Sequence, residues 1–151
     1  MNDALVVLED REDCAELLRE AAAYAKGADA DLVLYSPLTE EEYENAVEAL
    51  DQIGRVENHE YSGDNAISLA RKFANDLADD VLDEFDFGYT VVAEVVEGIE
   101  AKRVVDLAAE HDCDHVFALG RKRSPTGKAV FGDETQRLVL NFPGYVTVKM
   151  G

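Results

Sequence analysis

The sequence predicts an α/β fold, a parallel sheet held between helices in a three-layer αβα sandwich. Three observations carry that prediction. Short apolar runs rich in β-formers alternate with longer segments whose apolar residues recur at helical spacing, the pattern of linked βαβ units. The first run, Ala4–Leu8, is continuously apolar, as a strand covered on both faces requires. No repeat or low-complexity segment interrupts the 151 residues, enough for a single domain over 1–151 with a sizeable core.

Each element has its own signal. Glu9-Asp10 closes the first strand, and Asp10 or Asp13 is placed to cap a helix reaching about Lys26. On that helix Cys14, Leu17, Leu18, Ala21 and Ala25 share one face, and Gly27 is the expected stop. Leu32–Tyr35 is the second strand, closed by Ser36-Pro37. Thr39 and Glu42 form a capping box for a helix striped with Tyr43, Ala46, Val47 and Leu50 and ended by Gly54. A polar stretch leads to a long helix from about Asp64 to Glu84, with Ile67, Ala70, Ala74, Leu77 and Val81 inward. Tyr89–Val96 is the third strand, Ile99–Glu110 a helix, and His115–Leu119 the fourth strand. A helix over Glu134–Asn141 ends at Pro143-Gly144, and Tyr145–Lys149 is the last strand.

Charge narrows the partners. The chain carries 33 acidic and 14 basic residues, a net charge of -19, and the acids lie along every helix instead of in a tail. Such a surface repels itself in dilute buffer and is screened in concentrated salt, where the Debye length falls to about 3 Å at 1 M. A halophile's cytosol is the expected setting, and nucleic acid and anionic membranes are poor partners. No apolar run is long enough to span a membrane, and the N-terminus lacks the basic start of a signal peptide, so the cytoplasm is the expected location. Cys14 and Cys113 read as small buried residues without a disulfide. His111, Cys113 and His115 alternate in HDCDH, but three residues on one strand face rarely surround a metal ion and no fourth ligand is evident.

One stretch concentrates the chemistry. After the fourth strand, Gly120 opens a loop holding Arg121, Lys122, Arg123 and Lys128, four of the 14 basic residues. Gly132 and Asp133 follow, with Gln136 at capping-box distance from Asp133. Positive charge and the N–H groups of a helix start favour an anion such as phosphate. It is not a Walker A loop, because six residues separate Gly120 from Gly127 and Ala129 follows Lys128. Nor do Glu9 and Asp10 have the nucleophile that an acid–base pair would need, so no enzyme is assembled.

In these residues the chain resembles the universal stress protein (UspA) family. That family's signature is a fourth strand, then G-x-x-G, nine residues, then G-S/T and a helix leading to a Pro and a last strand. Here Gly120-Arg121-Lys122-Arg123 leads through residues 124–131 to Gly132-Asp133, with Pro143 before Tyr145-Val146-Thr147-Val148. EVVEG at 94–98, HDCDHVFALG at 111–120 and VVLEDREDC at 6–14 resemble the family's third-strand ending, its turn into the fourth strand and its first strand. The resemblance covers nearly the whole chain and is loosest over 38–62.

The resemblance implies a Rossmann-like, adenine nucleotide alpha hydrolase-like fold with a five-stranded parallel sheet in the order 3-2-1-4-5. It implies a crevice between strands 1 and 4 for ATP or AMP with Mg, drawing on Glu9, Asp10, Tyr35, Gly120, Arg121, Arg123, Gly132, Asp133 and Glu134. It also implies a homodimer paired through the last strand, Tyr145 to Lys149. Two positions depart from the pattern: Arg123 replaces the second Gly, and Asp133 replaces the Ser/Thr. A carboxylate at that N-cap competes with phosphate for the helix N–H groups and repels it by about 1 kcal/mol where exposed. The expected function is a non-catalytic stress-response protein with an adenine-nucleotide crevice. The alternatives are a ligand-free homodimeric interaction module with partner specificity in 38–62 and, third, slow ATP hydrolysis at the crevice.

Overall fold

The computed structural model describes residues 3–9, 12–45, 63–82, 88–120 and 133–150. The elements run β1 (Asp3–Val7), α1 (Cys14–Ala28), β2 (Leu32–Thr39), α2 (40–45), α3 (Gly63–Leu82), β3 (Tyr89–Val96), α4 (Ala101–Glu110), β4 (Cys113–Leu119), α5 (Asp133–Asn141) and β5 (Tyr145–Lys149). All four strand pairings are parallel, and the order β3-β2-β1-β4-β5 is the expected one.

Two cores sit on the two faces of the sheet. One joins Ala4, Val6, Leu8, Leu32 and Leu34 to the apolar sides of α1 and α3. The other joins Leu5, Val7, Val33 and Tyr35 to Val104 and Leu107 of α4 and to Leu138 at α5. Strand side chains alternate between faces, so a strand in the middle of such a sheet must be apolar throughout, and Ala4–Leu8 is fully buried. The predicted inward face of α1 is buried at every named position. Both cysteines are buried; the Cys113 thiol donates to the His111 carbonyl and is pushed up to about 12 by burial first, and then by Asp3, Asp114 and Asp112.

Four expectations are corrected. Helix α1 does not stop at Gly27; it runs to Ala28, and Asp29 makes the left-handed turn (φ 53), a conformation that Asp tolerates better than most residues. Asp13 holds the N-cap position without a side-chain cap bond. Ile67, expected inward on α3, is 36% exposed, while Ala70, Ala74 and Val81 are buried.

The fourth correction matters most: Pro37 does not close β2. The strand runs four residues past Tyr35 to Thr39, paired with β3 throughout. Odd-numbered residues of β2 turn their backbone groups to β1, because Ala4 N–H donates to the Asp31 carbonyl and Leu8 N–H to that of Tyr35. Even-numbered ones face β3, since Leu32 N–H donates to the Gly88 carbonyl. The N–H that Pro37 lacks therefore belongs on the β1 side, where pairing has already ended at Val7↔Tyr35. No ladder bond to β3 is lost.

The capping box at Thr39 is half observed: Thr39 Oγ1 accepts from Glu42 N–H at 3.2 Å. The stripe residues Ala46, Val47 and Leu50, the stop at Gly54, Asp10, and the basic loop with Arg121, Lys122, Arg123, Lys128 and Gly132 lie outside the described residues.

Candidate functional site

The strand lengths build a notch at the carboxyl end of the sheet. Strand β1 ends at Val7, with Leu8 N–H still bonded to Tyr35, while β2 continues through Ser36–Thr39. On the other side β1 is last paired at Val6↔Phe117, and β4 continues through Ala118 and Leu119 to Gly120. The short central strand leaves Leu8 and Glu9 as a floor between two taller walls. In an open parallel sheet this is where the strand order reverses, and ligands collect outside the carboxyl ends there.

Each wall has a physical origin. On β2, the alternation puts the Pro37 carbonyl and the Thr39 N–H on the β1 side, past the last β1 pair. Ser36 is buried and its hydroxyl donates to the Ala70 carbonyl at 2.7 Å, which fastens the overhang to α3. On β4, Gly120 N–H donates to the Lys149 carbonyl at 2.8 Å. A Cβ at Gly120 would lie 2.9 Å from Val148 Cγ1 and 2.6 Å from Met150 Sδ, so this glycine is fixed by the packing of β5.

Sequence reasoning brings Glu9, Gly120 and the start of α5 at Asp133 to this end of the sheet. Glu9 is half-buried at the floor. Tyr35 lies on the adjoining strand, but its ring is fully buried in the α4-side core and its hydroxyl donates to Glu94 Oε2 at 3.0 Å. Glu134 is engaged elsewhere: its Oε2 accepts from Ala101 N–H at 2.6 Å, capping α4, and its Oε1 meets Arg137 at 3.1 Å. A groove of about 450 Å³ beside that cap is lined by Glu100, Lys102, Val105, Glu134, Arg137 and Asn141.

One cluster was missed from the sequence. Glu94 of β3 receives the Arg103 guanidinium through both Nε, 3.0 Å from Oε1, and Nη2, in addition to the Tyr35 hydroxyl. Arg103 also lies 3.8 Å from Glu110. The Arg103 bonds hold the Glu94 carboxyl below its ordinary value, although burial acts the other way. Burial, then Glu94, push the Tyr35 phenol well above its ordinary value. The available signal was a single carboxylate inside the apolar run TVVAEVV.

At the opposite end of the sheet, His115 of the HDCDH segment stacks on Tyr145 (ring centroids 4.6 Å apart) and lies 4.2 Å from Tyr24. Among the described residues no group of His, Cys, Asp and Glu is arranged to hold a metal ion, and no helix is long and apolar enough to cross a membrane.

The sequence model of the Universal stress protein family matches residues 1–148. The chain belongs to the universal stress protein family. Solved structures of the family share its fold. A universal stress protein from Archaeoglobus fulgidus is 21% identical with a TM-score of 0.66, covering 98% of each chain. A universal stress protein from Archaeoglobus fulgidus in complex with dAMP gives 18% identity and a TM-score of 0.55, covering 98% of this chain and 97% of that one. A universal stress protein in complex with cAMP gives 15% and 0.59, covering 98% and 96%. No curated protein matches the sequence. Within the family pattern the loop here is one residue short, with eight residues (124–131) between Arg123 and Gly132 where the pattern has nine.

Proposed function

We propose that this family member binds an adenine nucleotide, ATP or AMP with Mg²⁺, in the notch at the carboxyl ends of β1 and β4, and acts by binding and not by catalysis. The observation that carries the reading is the backbone overhang of β2. A carbonyl at Pro37 and an N–H two residues on at Thr39 form an acceptor–donor pair on one edge. That pair matches the amino group and ring N1 of adenine. In this reading Glu9 and Asp10 serve the ribose. The basic residues Arg121 and Arg123, with the N–H groups from Gly132 and Asp133 into α5, serve the phosphates, and local cations offset the Asp133 carboxylate. The family relatives in complex with dAMP and cAMP support the ligand class.

The same reading includes a cytoplasmic homodimer paired through β5. Tyr145 on that edge strand is 65% exposed, and Val139 on the neighbouring α5 is also exposed. An edge with apolar side chains and open backbone groups is a pairing surface. High salt would screen the repulsion between two chains of charge -19.

Calorimetry with ATP and AMP, in multimolar KCl with Mg²⁺, tests the site on the wild type and on Asp133→Ser. Binding by the wild type is expected, tightened in the variant. Binding only in the variant would mean that the carboxylate has closed the site, and silence in both would leave the interaction module as the function. A monomer by light scattering across concentrations in high salt would count against the dimer.

A further inference from the structure

Beyond Tyr35 the neighbour of β2 toward the centre of the sheet has ended, so within the sheet β3 is the one strand that positions the Pro37 carbonyl and Thr39 N–H, with Ser36 fastened to α3 beside them. The residue opposite Pro37 in the register is Glu94. Its carboxylate ties three elements together: Tyr35 on β2, two residues before Pro37; its own strand β3; and Arg103 in the first turn of α4. Tyr35 is fully buried, so its hydroxyl has no water to turn to. A salt bridge of this kind adds little stability over an apolar pair, but charge-assisted bonds converging on one carboxylate fix geometry closely.

We propose that Glu94 and Arg103 are positioning residues that set the base specificity of the notch, through Tyr35 and the backbone of Pro37 and Thr39. The inference rests on the adenine-nucleotide reading above. Guanine would present its O6 acceptor to the Pro37 carbonyl and its N1–H to the Thr39 N–H, a mismatch at both contacts. Rejection of that mismatch depends on the edge being held still, because a strand free to shift lets water or an altered tilt relieve it. Loosening the clamp therefore erodes discrimination more than it erodes binding as such.

The test is equilibrium binding of AMP and GMP, in multimolar KCl with Mg²⁺, to the wild type, Arg103→Met, Arg103→Lys and Tyr35→Phe. Circular dichroism and urea midpoints confirm that each is folded. The expected result is an AMP-over-GMP preference in the wild type that falls about tenfold in Arg103→Met and Tyr35→Phe, the worth of one hydrogen bond, and recovers in part in Arg103→Lys. A merely structural role would weaken both nucleotides alike and leave the ratio unmoved. An unchanged ratio in folded variants, with the wild type preferring AMP, would overturn the positioning role alone. A wild type that binds neither nucleotide would overturn the reading of the notch and the positioning role with it.

Discussion

Replacing Tyr35 by Phe removes one oxygen from the α4-side core and leaves the ring in place. The hydroxyl donates to the Glu94 carboxylate at 3.0 Å, and the ring is fully buried, so the deletion opens no cavity larger than that atom. A hydrogen bond to a charged group contributes about 1.5–3 kcal/mol. Glu94 keeps Arg103 and its side chain is 24% exposed, which lets solvent replace part of the loss. The low end applies, about 1.5 kcal/mol, or about 3–6 °C in Tm for a chain of this length. Urea denaturation followed by circular dichroism, in high salt at pH 7, measures it. The deficit also has a pH signature. Glu94 titrates in the folded state below its ordinary value of 4.5, so the stability that its charge supplies is complete above that value and is lost as pH falls through the lowered one. The gap between Tyr35→Phe and wild type is therefore expected to hold steady down to about pH 5 and to close in more acid solution. An unchanged urea midpoint at pH 7, or a gap that widens in acid, would refute the account of the clamp.

Gly144→Ala is expected to destabilise by about 3 kcal/mol or more, because the new Cβ would press into the Asp114 carbonyl of the neighbouring backbone and lie 2.8 Å from the Phe142 ring. Gly120→Ala, whose nearest neighbour is the flexible end of Met150, is expected to cost about 1–2 kcal/mol; equal losses in urea denaturation would contradict the difference in packing. Gly27→Ala is expected to stabilise by about 0.5–1 kcal/mol, since the residue lies within α1 and nothing stands within 4 Å of its Cβ position. Thiol labelling at pH 8 should leave Cys113 unmodified in the folded protein and modify it after denaturation; rapid labelling of the native protein would show that the thiol is not held up by burial.

The sequence by itself determined the class of fold, most of the elements and the family. Periodicity is a local property: β3 and β5 begin and end where the residue pattern places them, and the inward face of α1 is buried as its spacing requires. The end of β4 before Gly120 and the start of α5 near Asp133 were legible because punctuation is written along the chain. Tertiary structure decided the shape of the site. The notch exists because β1 stops at Val7 while β2 and β4 go on, and strand length relative to a neighbour is fixed by register between distant segments. Pro37 read locally as a strand end; only the side to which its missing N–H would point shows why β2 passes through it. The burial of Tyr35, the use of Glu134 on α4 and the clamp of Glu94 by Arg103 were likewise beyond local reading. Each joins residues on different elements, nine positions apart for Glu94 and Arg103 and 33 or more for the others, and the pairing that satisfies a buried polar group is chosen by the packing around it.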